Sequence, residues 1–311
     1  MITLRDRIRP YLQLRRSLGF KLQADGRYLV DFVTFMEERR ASYVTHQHAL
    51  DWACIRPTLR PATWAGRLTV VRCFARYLMS FDSRTQVPLM TALPHETRRA
   101  RPHLYTDSQI RGILHAALQL PSSNVLWPQT LHCLIGLLSV TGMRVGEACN
   151  LELRDVDLQA RVLTIRGAKF GKSRLVPLHQ STSEVLSIYI QRRKRHWQGR
   201  CPIPYLFGGI TGTKLWVTDV GRVFRLISHQ VGLRNAGDTH GPRLHDLRHR
   251  FATGTLVSWY HSGQDPECRL PLLSAYLGHA HCSDTYWYLN HSPELMKEAV
   301  RRLEKRWETR L

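Results

Sequence analysis

No stretch of this 311-residue chain is apolar for the ~18 residues that a membrane-crossing helix needs, and its start, MITLRDRIRP, does not read as a secretion signal. Spanning and secretion are not expected, no membrane is expected among the partners, and the cytoplasm is the expected location. Cysteine is sparse and unpatterned. The seven residues (Cys54, Cys73, Cys133, Cys149, Cys201, Cys268 and Cys282) are odd in number and contain no C-x-x-C, which argues against a disulfide framework and a structural zinc site. They read as small core residues of a reducing compartment. There is no internal repeat and no low-complexity tract. Acidic residues are few, 24 against 45 basic, and lysine is scarcer still, supplying only 7 of those 45.

What is present is arginine and enough apolar residues (43%) to build real cores. The net charge is +21 with a pI near 10.4. Residues 1 to 104 carry 18 basic against 8 acidic residues, and the remainder 27 against 16. Both halves are therefore strongly basic, at +10 and +11, and the expected partner is a polyanion. Guanidinium groups suit bidentate phosphate contacts.

Residues 1 to 80 read as helical. Leu12, Leu14, Leu18 and Phe20 open an apolar pattern that Tyr28, Leu29, Phe32, Val33, Phe35 and Met36 continue at helical spacing. Pro61 followed by Trp64, Leu68, Val71, Phe74 and Leu78 reads as another amphipathic helix, and Arg67, Arg72 and Arg76 lie along it as candidate DNA contacts. Residues 83 to 104, with Pro88, Pro94 and Pro102 and the cations Arg98, Arg99 and Arg101, read as a linker able to track a phosphate backbone. The expected division is a helical domain at 1–82, the linker at 83–104 and a second domain at 105–311. The second opens with a capping-box pattern, Thr106 and Gln109, and an apolar helix near 130–140 follows. Residues 161 to 178 carry a β-hairpin signal: Val162, Thr164 and Ile165, a Gly- and Lys-rich turn, then Leu175 and Val176. Helical periodicity returns at 181–197, 218–231, 245–258 and 293–308. The fold class is mainly α with one small β-sheet.

Three segments carry chemistry. TGMRVGE (141–147), HDLRHRFAT (245–253) and LGHAHCSDTYWY (277–288) supply Arg144, His245, Arg248, His279 and Tyr288. Two guanidiniums can hold one phosphate by paired hydrogen bonds, and losing one such donor at a transition state costs about 3 to 4 kcal/mol. Imidazoles move protons near neutral pH. A phenol can attack phosphorus and become a covalent ester, although at pH 7 only about 0.1% of an ordinary tyrosine is ionised. His245 and Arg248, three residues apart, share a helix face. Glu147 suits an orienting role. HDLRH is also H-x-x-x-H, and His245 with His249 would suit zinc, but no third ligand is apparent and Asp246 replaces the usual glutamate. No metal and no cofactor are expected.

In their order and spacing, with nine residues from His279 to Tyr288, the three segments resemble the boxes of the tyrosine recombinases, or phage integrases. The resemblance covers roughly residues 105 to 300. It implies a helical core-binding domain and an α+β catalytic domain that clamp a DNA duplex. It chooses Tyr288 over Tyr286 as nucleophile, links His245 to activating it and His279 to the phosphate, and places a general-acid lysine on the hairpin turn. Counting back from RLVPL favours Lys169 for that acid and leaves Lys172 as a DNA contact. It implies double-stranded DNA with paired half-sites as partner and a homotetramer at synapsis, with partner recombinases or accessory DNA-bending proteins as further candidates. A mobile-element role in integration or transposition is the preferred context. The core-binding domain begins almost at once, at LRDRIRPYLQLRRSLGF, which leans away from the large phage integrases. A type IB topoisomerase and a non-catalytic DNA-binding protein are the alternatives. The resemblance also suggests that the apolar stripe of the last helix docks on a neighbouring protomer.

Overall fold

The computed structural model describes residues 3–20, 22–93, 101–167, 173–198, 203–238, 240–288 and 293–308. The chain folds as two compact units, Met1–Ala100 and Arg101–Leu311.

Among its described residues the first unit holds four helices: α1 (Leu4–Ser17), α2 (Gln23–Glu38), α3 (His46–Cys54) and α4 (Pro61–Leu78). Thr3 and Asp6 form a reciprocal capping box that starts α1, and Pro61 occupies the first turn of α4, where its missing N–H costs nothing. The core gathers Leu29, Phe32, Met36, Trp52, Leu68 and Phe74. Phe32 meets Trp52 edge-on at 5.2 Å. The α1 pattern differs from the sequence expectation. This helix buries Ile8 and Tyr11, one turn apart, and so turns Leu14 and Leu18 outward.

Two of the three arginines read as DNA contacts on α4 are corrected. Arg67 is 3% exposed; its guanidinium donates to the Trp52 carbonyl at 2.9 Å and lies over the Trp52 ring at 3.9 Å. Arg72 is also buried and donates to the carbonyls of Pro88 and Leu89 at 2.8 and 2.9 Å. Both cations are committed to backbone carbonyls. Arg76 is exposed. Arg72 therefore ties part of the segment read as linker onto this unit. Gln86 adds to the tie, donating from its backbone N–H to Val44 and accepting from His46. Arg101 is exposed, and Arg98 and Arg99 lie outside the described residues.

The second unit holds α5 (Asp107–Leu118), α6 (Leu126–Thr141), α7 (Val145–Cys149), β1 (Val156–Asp157), β2 (Val162–Ile165), β3 (Arg174–Pro177), α8 (Gln180–Trp197), α9 (Val217–Gln230), α10 (Leu244–His261), α11 (Pro266–Leu277), α12 (Ser283–Tyr286) and α13 (Pro293–Glu308). The strands form one antiparallel sheet in the order β1-β2-β3, with Val162 opposite Pro177 and Ile165 opposite Arg174. The hairpin expected at 161–178 is β2 and β3; its turn, with Lys169 and Lys172, lies outside the described residues. Helix α6 is the hub. Its Leu131, Leu134 and Ile135 pack with Ile113 of α5, Leu186 of α8 and Leu247 of α10. A smaller cluster gathers Leu256, Leu273, Leu277 and Leu295 with Tyr288. Leu295 thus packs α13 within its own chain, while Met296, Val300, Leu303 and Trp307 stay exposed along it. No helix among the described residues is long and apolar enough to cross a membrane.

Candidate active site

Two helices stop on glycines that open onto the site. Helix α6 ends at Gly142 with φ +60°, and α11 ends at Gly278 with φ +67°, left-handed conformations that glycine adopts without strain. The first turn delivers Arg144, which stands at the N-cap of α7. The second delivers His279. Space reinforces the choice at Gly142, where a Cβ would lie 2.5 Å from the Phe251 ring.

Helix α10 supplies the middle of the site. Asp246, almost fully buried, accepts from the Arg243 backbone N–H at 2.9 Å and from its guanidinium at 2.8 Å, and this fixes the first turn. Tyr105 donates its hydroxyl to the Arg243 carbonyl at 3.0 Å. Arg250 donates to the Tyr105 carbonyl at 2.8 Å and pairs with Asp107. The start of α10 is thereby held to the start of α5.

Arg248 reaches both glycine turns. It donates to the Gly142 carbonyl at 2.9 Å and the Leu277 carbonyl at 2.6 Å. Burial holds its pKa below the usual arginine value, and the Tyr288 phenol nearby pulls the other way. Arg144 donates to the Gly278 carbonyl at 3.1 Å and to Glu147 at 3.0 Å, and its side chain stays 30% exposed. Glu147 also accepts both terminal nitrogens of Arg174, at 2.9 and 2.8 Å. Burial alone would raise the Glu147 pKa; Arg174 and Arg144 override it and hold the carboxylate below its ordinary range.

Tyr288 is 4% exposed and sits among imidazoles. The His279 ring is nearly parallel to the phenol ring, at 5.8 Å between centroids, and Thr285 fixes it by a 2.7 Å contact between Oγ1 and Nδ1. The His249 ring meets Tyr288 at 5.1 Å and His245 at 4.9 Å. Burial, then the Arg248 charge, pushes His279 down to about 4; burial, then His245, pushes His249 down to about 4. The His245 side chain keeps an exposed face, yet crowding of its ring and Arg248 hold it below the ordinary histidine value. The imidazoles are therefore set to be neutral at pH 7, as proton acceptors or single donors. Among the described residues no group of three His, Cys, Asp or Glu is placed to hold a metal ion.

The structure thus brings together Arg144, Glu147, His245, Arg248, His279 and Tyr288, whereas Tyr286 points out at 54% exposure. Sequence reasoning missed two participants. In the sequence His249 stands out only as half of a zinc pair; its place beside Arg248 on the same turn is the signal for its role here. Arg174 carries only a weak sequence signal, a charge opening an otherwise apolar strand.

Residues 104–294 match the model of the phage integrase family. The chain belongs to that family. The y4rB protein of Sinorhizobium fredii, which carries an integrase/recombinase name, is 53% identical over 313 residues and spans all of both chains. Tyrosine recombinase XerD of Caulobacter vibrioides is 29% identical over 245 residues, 78% of this chain and 75% of that one. The solved Tn1549 transposon integrase in complex with transposon right-end DNA superposes with a TM-score of 0.66 at 18% identity, covering 96% of this chain and 98% of that one. That likeness establishes a shared fold. DNA recombination is the work of the family.

Proposed function

We propose that the protein is a site-specific DNA recombinase that cuts and rejoins strands through a 3′-phosphotyrosine. One observation carries the reading: the Tyr288 phenol is buried between the rings of His279 and His249, and His249 stands next to Arg248 on α10, so groups from two separate segments converge on it. Arg144, the more exposed guanidinium, receives the phosphate first, and Arg248 and His279 complete its cradle. Tyr288 turns outward and its oxygen bonds to phosphorus. Its proton passes to the imidazole side of the site, where His245 is the acceptor. The bond to the deoxyribose 5′-oxygen breaks, and Lys169 protonates that oxygen. A partner strand's 5′-hydroxyl reverses the step. The ester conserves the bond energy, so the exchange needs no high-energy cofactor.

The substrate is duplex DNA bearing paired half-sites, gripped by both basic units, and four protomers handle two duplexes. Integration or transposition of a mobile element is the context, in keeping with the transposon integrase of the same fold. The test is a plasmid carrying two copies of the element's end sequence, incubated with the protein alone. Recombinant circles that depend on both copies are expected. Relaxation that ignores sequence would make the protein a type IB topoisomerase, and binding without any strand cutting would make it a DNA-binding protein of the same fold.

A further inference from the structure

Glu147 is an awkward neighbour for a phosphate-binding arginine. A carboxylate that pairs fully with Arg144 would cancel the charge that a phosphate needs. The geometry shows how this is avoided. Oε1 of Glu147 accepts from Arg174 at 2.9 Å and Arg144 at 3.0 Å. Oε2 accepts from Arg174 at 2.8 Å and from the Arg144 backbone N–H at 2.9 Å. The two-pronged side-chain pair thus belongs to Arg174, and only one nitrogen of the Arg144 guanidinium touches the carboxylate. We propose that Arg174 is a positioning residue that neutralises Glu147, so that the Arg144 guanidinium keeps its charge for a DNA phosphate.

Three features support this assignment. Arg174 is too enclosed to serve a phosphate itself: its side chain is 11% exposed and its Nε donates to the Tyr276 carbonyl at 2.7 Å. Arg174 lies where only glycine lets it lie, since a Cβ on Gly278 would sit 2.9 Å from its guanidinium. The three groups sum to one positive charge, and its outlet is Arg144, the most exposed of them. Removing the Arg174 charge leaves a buried carboxylate with one remaining cation, and Arg144 would close on it. Arg174 also opens β3, so the strand pair that leads into the lysine-bearing turn is fastened to the same carboxylate.

The inference rests on the phosphate-holding role proposed for Arg144. Its test compares the full-length wild type with Arg174→Met, Glu147→Gln and the double variant. Each is measured for salt dependence of half-site duplex binding and for single-turnover cleavage of a nicked duplex, with the folded fraction checked by circular dichroism. Arg174→Met should lower the logarithmic salt slope by about 0.9, the loss of one phosphate contact. It should slow cleavage by roughly 30-fold, and the double variant should return to within about 5-fold of wild type and recover the slope. A role in packing alone would leave the slope unchanged. An unchanged slope in Arg174→Met, or a double variant no better than Arg174→Met, overturns the proposal. Absence of wild-type cleavage would instead sink the catalytic reading, and the binding slopes would still decide the charge balance.

Discussion

The imidazole of His249 meets the ring of Tyr288 at 65°, with centroids 5.1 Å apart. This contact and the nearly parallel His279 ring keep the phenol enclosed when no DNA is bound. Tyr286, two residues earlier, faces outward. Nitration of the free protein with tetranitromethane, followed by peptide mapping, should therefore modify Tyr286 well before Tyr288. His249→Ala should open the enclosure and bring Tyr288 up to the Tyr286 rate. Equal reactivity of the two tyrosines in the wild type would show that the phenol is not held inside.

The same imidazoles make stability depend on pH. His249 and His279 both titrate near 4 in the folded protein against an ordinary value of 6.5, so the unfolded chain takes up their protons more readily. Their contribution is intact above 6.5 and is lost as pH falls toward 4. The two sites are coupled, and a combined loss on the order of 3 kcal/mol is expected. Urea midpoints measured from pH 7 to pH 4 should fall over that window, and His249→Phe should flatten the fall. A profile identical in wild type and variant would remove His249 from the effect.

The arginines of α4 divide by role. Arg67→Ala and Arg72→Ala should each destabilise the first unit by about 2 kcal/mol, because each strips buried carbonyls of a charged donor. Arg76→Ala should leave stability within about 0.5 kcal/mol. Under the proposed DNA grip it should also reduce the salt slope of binding by up to 0.9. Chemical denaturation and binding titrations on the same three variants separate the two outcomes. A stable Arg67→Ala protein with weakened DNA binding would restore the surface role first read for it.

Much of the site was legible in sequence because its chemistry sits at helix ends, where local signals are strong. A glycine before Met143–Arg144 and another before His279 mark the stops of α6 and α11, and the three-residue step from His245 to Arg248 places them on one face of α10. The hairpin signal over 161–178 is equally local, since Val162, Thr164 and Ile165 and then Leu175 and Val176 flank a Gly- and Lys-rich segment. What escaped was long-range. Arg174 finds Glu147 across 27 residues of chain. Arg67 is drawn inward by Trp52, and nothing in an amphipathic pattern separates a guanidinium that caps a buried carbonyl from one that faces water. Helix α11 gave little periodicity, with Pro271 inside it and no cations in its last turn. Leu14 and Leu18 looked like core because helical spacing shows that a face exists without showing which face the neighbours cover.

The central claim is that Tyr288 becomes covalently joined to a DNA 3′-phosphate. A nicked duplex that releases the short 5′-hydroxyl fragment traps such an intermediate, and proteolysis followed by mass spectrometry names the residue and the DNA end. The account predicts an adduct on Tyr288 through a 3′-phosphate, abolished in Tyr288→Phe and retained in Tyr286→Phe. An adduct on Tyr286, a linkage through a 5′-phosphate, or cleavage that survives in Tyr288→Phe would contradict it.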